Sequence, residues 1–209
     1  LLTVSNPPVN TINSAVREGL LRRLDEIEAR GGIKGAVLLC SGSTFFSGAD
    51  ISEFSGPPQE EAYRRMFNRL ENVPFPTVAA MHGTVMGGGV EIALALHYRV
   101  AAPTTRLAMP EVTLGIIPGA GGTQRMPRLI GVEATLDLVL SARPVDAARA
   151  CELGIVDALI DGDLRAGALS FVQQLIATGR GPRRTGEMQV DPASASDEII
   201  ARFTAQARK

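Results

Sequence analysis

A chain of 209 residues with 45% hydrophobic and 21% charged side chains is long enough to bury one substantial core, and that balance excludes a globally disordered polymer. A net charge of -1, with neither a Lys/Arg block interleaved with aromatics nor a zinc-knuckle spacing, gives no electrostatic footprint for nucleic acid. Cys40 and Cys151, far apart in sequence, read as reduced, buried thiols of a cytosol-like compartment, and no apolar run approaches the roughly 20 residues of a membrane-spanning helix.

Leu2 and Val4 alternate with polar neighbours before Asn6-Pro7-Pro8, which predicts a short strand and a turn. Val16, Leu20, Leu24 and Ile27 recur at helical spacing behind a capping Asn13-Ser14, and Gly31-Gly32 end that helix. Ala36–Cys40 is a continuous apolar run of strand length, the kind found in a sheet covered on both faces. Tyr63, Met66, Phe67 and Leu70 mark one face of a second helix, closed by Pro74 and Pro76. Thr77–Met81 reads as another buried strand leading into Gly83 and the triplet Gly87-Gly88-Gly89, and a helix-forming run covers 91–96. Amphipathic helices are expected over 132–140 and 164–176. Strand, glycine turn and helix recur, so the fold class is α/β. The composition then shifts: 179–197 reads as a linker, followed by a short helix through Ile199, Ile200 and Phe203. The chain is therefore expected to divide into a domain over 1–178 and a linker with a short helix over 179–209 leading to a further domain.

Three stretches carry candidate chemistry. In Phe45-Phe46-Ser47-Gly48-Ala49-Asp50-Ile51 the small residues Gly48 and Ala49 let a ligand approach the backbone, where an N–H donates to a bound oxygen; the plainer reading is a turn with Asp50 capping a helix. In His82-Gly83-Thr84-Val85-Met86-Gly87-Gly88-Gly89-Val90-Glu91 three glycines lead into a helix N-terminus suited to an oxyanion, with Glu91 near the first turn. In the stretch from Met109 to Arg125, Glu111 sits among Met, Pro, Val, Leu and Ile, where burial raises a carboxyl pKa toward general-acid duty; the structural alternative is an ion pair with Arg106 or Arg125. The Gly119-Ala120-Gly121-Gly122 run lacks the Lys-Ser/Thr of a P-loop and does not follow a strand, so it is not read as a nucleotide fingerprint. His82 and His97 are read as structural.

Taken in order, Asn6-Pro7-Pro8-Val9-Asn10, Phe46-Ser47-Gly48-Ala49-Asp50-Ile51, Gly87-Gly88-Gly89-Val90-Glu91 and Pro110-Glu111-Val112-Thr113-Leu114-Gly115-Ile116-Ile117-Pro118-Gly119-Ala120-Gly121-Gly122-Thr123-Gln124-Arg125 resemble the enoyl-CoA hydratase/isomerase, or crotonase, family over 1–178, and Ala101-Ala102-Pro103 and Gly154-Ile155-Val156-Asp157 fit its later segments. The resemblance implies a crotonase-like spiral of ββα units with surrounding helices. It implies an oxyanion hole at the N–H groups of Ala49 and Gly88, catalytic Glu91 and Glu111, and acyl-CoA contacts at Gly48, Asp50, Ile51, Gly87, Pro118 and Gly119. Both glutamate positions are filled, which favours hydration of a 2-enoyl-CoA in fatty acid β-oxidation, with Glu111 giving a proton to C2 and Glu91 activating water. The alternatives are 3-enoyl-CoA to 2-enoyl-CoA isomerisation at the same site and a non-catalytic acyl-CoA-binding module. No metal and no cofactor is implied, CoA being part of the substrate. The implied setting is cytoplasmic, or peroxisomal in a eukaryote, and the implied partners are further copies of the chain or a covalently linked 3-hydroxyacyl-CoA dehydrogenase domain. The opening on Leu1 and the tail from Gly181 read as parts of a longer multifunctional polypeptide.

Overall fold

The computed structural model describes residues 1–57 and 59–207. The chain winds in successive turns, each made of a strand, a second short extended segment and a helix. β1 (Leu2–Val4) leads to a bridge residue, Ile12, and α1 (Ser14–Arg30); β2 (Ala36–Cys40) leads to the partner bridge residue, Ala49, and α2 (Glu60–Glu71). β3 (Thr77–Met81) leads to β4 (Thr84–Met86) and α3 (Gly88–Ala95); β5 (Tyr98–Ala101) leads to β6 (Arg106–Ala108), a 3-10 turn over Glu111–Leu114 and α4 (Gly122–Ile130). α5 (Val132–Ser141), β7 (Val145–Asp146), α6 (Ala147–Leu153), β8 (Ala158–Leu159), α7 (Leu164–Ala177) and α8 (Asp197–Ala207) follow. The main sheet, in the order β1-β2-β3-β5-β8, is parallel throughout, whereas the smaller sheet β4-β6-β7 pairs β6 with β7 antiparallel. This is the crotonase spiral of ββα turns.

Parallel pairing demands a long crossover after each strand, and the helices supply it. Because both faces are then covered, β3 is buried at all five positions. Val37, Val78, Ala80 and Val100 face Ala168, Val172 and Leu175 of α7, while Leu38, Ala79, Met81 and Ala101 face the larger cluster with Leu20, Leu24, Phe67 and Leu70. The period of two along each strand sorts them. α1 is capped by Asn13, whose side chain accepts from the Val16 N–H, and ends at Gly31 as its sequence pattern predicts.

Two expectations are modified. α3 starts at Gly88, ahead of the helix-forming run over 91–96, so two glycines form its first turn. Poor intrinsic propensity is tolerated there because the helix lies directly on the Phe46 backbone: a Cβ at Gly89 would overlap the Phe46 carbonyl oxygen and stand 2.8 Å from its carbon. Residues 179–197, expected as a linker, lie against the body. Arg183 Nη2 donates to both carboxylate oxygens of Asp157 at 2.7 and 2.8 Å, its Nε donates to the His97 carbonyl at 3.1 Å, and Ser194 Oγ accepts from the Val132 N–H at 3.0 Å. Phe203 of α8 is 6% exposed. The Gly, Pro and Ser content of this segment belongs to anchored turns; positions 208 and 209 lie outside the described residues. No described helix is long and apolar enough to cross a membrane.

Candidate active site

The turn after β2 and the start of α3 meet edge to edge. Ile12 N–H donates to the Gly48 carbonyl and Asp50 N–H to the Ile12 carbonyl, which pins the 48–50 backbone, and Gly88 packs with its Cβ position 3.3 Å from the Ala49 nitrogen. Neither the Ala49 nor the Gly88 N–H has an acceptor among the described residues. Gly88 opens a helix, so its N–H has no intrahelical partner and carries part of the positive end of the helix dipole. Two neighbouring free donors of this kind can polarise one carbonyl oxygen.

Glu91, one turn into α3, is 3% exposed. Its Oε1 accepts from the Ala120 and Gly122 N–H groups, each at 2.8 Å. Burial raises its pKa, while those two N–H groups and the Arg125 charge pull it back. Gly122 is required by this approach, since a Cβ there would lie 3.0 Å from Glu91 Oε1 and 2.8 Å from Met109 Cε.

Glu111 opens the 3-10 turn after β6 and is 8% exposed. Burial pushes its carboxyl up to about 7, its own backbone N–H opposes this, and the Glu91 charge adds to it. Neither Arg106 nor Arg125 pairs with Glu111 among the described residues, since Arg125 is bound to Glu71 at 2.7 Å, and Glu111 Oε2 is buried without a hydrogen-bond partner. A buried, unpartnered carboxyl oxygen costs stability and is free to bond a reactant. Gly87, at φ 48°, completes the approach: a Cβ there would stand 3.0 Å from Glu111 Oε1.

A raised carboxyl pKa also makes a stability prediction. The fold binds a proton at Glu111 that the unfolded chain releases, so this group's penalty is absent below the ordinary carboxylate pKa and grows as pH rises to about 7. Glu111→Gln should come close to the wild type in Tm near pH 4.5 and exceed it by a few degrees at pH 8, solvent screening holding the gain below the full pKa shift. Calorimetry across that range checks it; equal Tm values at pH 8 would remove the case for a strained carboxylate.

The other sequence-predicted positions fall into two groups. Gly48 and Gly87 are buried, Gly87 against Glu111, and the Pro118 ring packs with Cβ 3.1 Å from the Cβ position of Gly122. Gly119 is exposed on the same loop. The side chains of Asp50 and Ile51 face away: Asp50 caps the 3-10 turn Ile51–Ser55 through Ser52, and Ile51 is 67% exposed. His97 is fully buried, accepting from Thr77 N–H at 3.1 Å and bonding the Glu71 carbonyl at 3.0 Å, and His82 bonds the Gly42 carbonyl. Sequence reasoning missed the Ala120 and Gly122 donors. Their signal is the glycine run itself, whose small residues admit a carboxylate against backbone N–H groups.

Four successive turns of strand, short extended segment and helix, with Glu91 buried in the third and Glu111 in the fourth, are the build of a crotonase-type enzyme. Residues 1–207 match the family model described as Enoyl-CoA hydratase/isomerase, and the chain belongs to that family. It is 38% identical over 209 residues to a peroxisomal bifunctional enzyme of Danio rerio, covering 100% of this chain and 29% of the relative, so it spans under a third of that protein's length. It is 39% identical over 163 residues to a probable enoyl-CoA hydratase of Bacillus subtilis, covering 75% of this chain and 63% of the relative. The crystal structure of an enoyl-CoA hydratase from Bacillus anthracis superposes with TM-score 0.78 at 31% identity, covering 99% of this chain and 84% of that one.

Proposed function

We propose that the chain hydrates 2-trans-enoyl-CoA to 3-hydroxyacyl-CoA, as a β-oxidation step, without a cofactor. One observation carries this reading: Glu111 is buried with an unpartnered Oε2 and a carboxyl pushed up to about 7, while Glu91, its own pKa raised by burial, is oriented by two backbone N–H groups. In the reaction, the thioester oxygen accepts hydrogen bonds from Ala49 and Gly88, which stabilise the enolate charge that develops there. Glu91 takes a proton from water as its oxygen bonds to C3, and Glu111 delivers a proton to C2. The C2=C3 bond becomes single, Glu91 ends protonated and Glu111 ionised, and transfer of the proton between the pair resets the site. Gly48, Gly87, Pro118 and Gly119 wall the acyl-thioester end, and the 49–51 backbone receives the CoA portion.

Loss of the conjugated thioester absorbance on mixing the protein with crotonyl-CoA tests the reaction. Turnover in the wild type that disappears in Glu111→Gln supports it, whereas tight binding of the ester without turnover makes the chain an acyl-CoA-binding shell. A carboxyl with pKa near 7 serves equally as base and acid, so Glu111 also suits transfer of a proton between C4 and C2, the isomerase reading. Glu91→Gln separates the two, abolishing hydration and sparing isomerisation.

A further inference from the structure

Glu91 is held by a loop, and that loop is itself held from below. Ala120, whose N–H donates to Glu91, turns its carbonyl to the Arg125 guanidinium, with Nη1 at 3.3 Å. The same guanidinium reaches Glu71 of α2, Nη2 at 2.7 Å and Nε at 3.2 Å from Oε2, and lies 5.9 Å from the Phe67 ring. Glu71 Oε1 accepts from the backbone N–H of Gly186 at 2.6 Å, far along the chain. Arg125 and Glu71 are 7% and 8% exposed. A buried ion pair contributes little net stability compared with apolar packing, so its presence one layer beneath a candidate catalytic carboxylate asks for another reason.

We propose that Arg125 is a positioning residue for Glu91: it fixes the 120–122 loop whose N–H groups orient that carboxylate, and Glu71 together with the Gly186 backbone fixes Arg125. This rests on the reading of Glu91 as the water-activating group. It also ties the 185–187 turn to the reaction centre through four consecutive contacts. The charged and titratable groups around Glu91 are Arg125 on α4, Glu111 after β6 and, across Arg125, Glu71 on α2. Of these, Arg125 favours the ionised form of Glu91, and removing its charge moves the Glu91 midpoint upward.

The test follows the Glu91 side-chain carboxyl by 13C NMR titration of the full chain, its signal identified by loss in Glu91→Gln, alongside kinetics with crotonyl-CoA. In Arg125→Met the Glu91 midpoint rises and kcat falls on the order of 10–100-fold as the carboxylate loses its orientation, with KM within about threefold of the wild type. Arg125→Lys returns the midpoint but not the full kcat, because one ammonium cannot serve Glu71 and the Ala120 carbonyl together. A folded Arg125→Met with the wild-type midpoint and kcat overturns the proposal, as does an Arg125→Lys midpoint as high as that of the Met variant. Should Arg125→Met fail to fold, Gly186→Ala decides: its methyl would stand 2.8 Å from Glu71 Oε1, so kcat falls at unchanged KM, and a wild-type kcat overturns the clamp. Absence of turnover in the wild type counts against the proposed reaction alone, since the Glu91 titration still decides the role of Arg125.

Discussion

Glu111→Gln is expected to lower kcat for crotonyl-CoA hydration by about 10²–10⁴-fold, the range for loss of a positioned general acid, while the ester still binds. The amide has nearly the shape of the protonated carboxyl, so packing against Gly87 is kept. It cannot release a proton to C2. Of the Glu111 oxygens, Oε1 lies nearer Gly87 and Oε2 is the buried atom without a hydrogen-bond partner. On the proposed mechanism, in which both carboxyls act on one water, Glu91→Gln should cost a similar factor, and the double variant little more than either alone. Single-turnover absorbance with equilibrium binding of the ester measures both quantities; an Glu111→Gln enzyme within tenfold of the wild type would exclude Glu111 as the acid.

Gly89→Ala should be among the most damaging single-methyl substitutions, because the new carbon meets buried backbone. In a helix interior, alanine ordinarily exceeds glycine by about 1 kcal/mol, yet at Gly89 the new Cβ would overlap the Phe46 carbonyl oxygen and lie 2.9 Å from Phe46 Cβ. Phe46 is fully buried and packs edge-on against Phe45 at 4.8 Å, so it has nowhere to go. The start of α3 must instead retreat, costing about 1–3 kcal/mol of overpacking strain or more and drawing the Gly88 N–H away from that of Ala49. A loss of kcat of about 10²–10³-fold accompanies separation of such donors. Gly19→Ala is the control: Gly19 lies inside α1 with nothing within 4 Å of its Cβ position, and the variant should be more stable than the wild type. Urea denaturation of the pair, with kcat, checks the contrast; a Gly89→Ala protein as stable as the wild type would mean that α3 is not seated on Phe46.

The parts of this fold that announce themselves in sequence are those whose signal is periodic or continuous. α1 shows in Val16, Leu20 and Leu24, all buried, and β2 and β3 in unbroken apolar runs. β4, β6, β7 and β8 span only two or three residues each, too short for any period to register. β5 is hidden by Arg99, a fully buried arginine in the middle of a buried strand, which the carbonyls of Ile155 and Leu96 hold at 2.6 and 2.9 Å. α4 is masked by its opening glycine and by Pro127, and is sustained by tertiary packing of Met126 and Arg125. Of the candidate site, the settings of Glu91 and Glu111 are legible in the sequence, a glycine-led helix start and an apolar turn. The donors that hold Glu91 were not legible, because a backbone N–H leaves no side-chain signature. The ion pair of Arg125 with Glu71 joins residues 54 positions apart, which no local pattern contains.

The winding order sets when the proposed activity can appear during folding. Ala49 comes from the second turn of the spiral, Gly88 and Glu91 from the third, and Glu111 with the Ala120 and Gly122 donors from the fourth. Every pairing in the main sheet is parallel and must wait for an intervening crossover to close, which makes such contacts slow to form. On refolding from denaturant, helical signal should therefore return first and hydration last, together with the docking of α4, so that recovered turnover times the completion of the spiral.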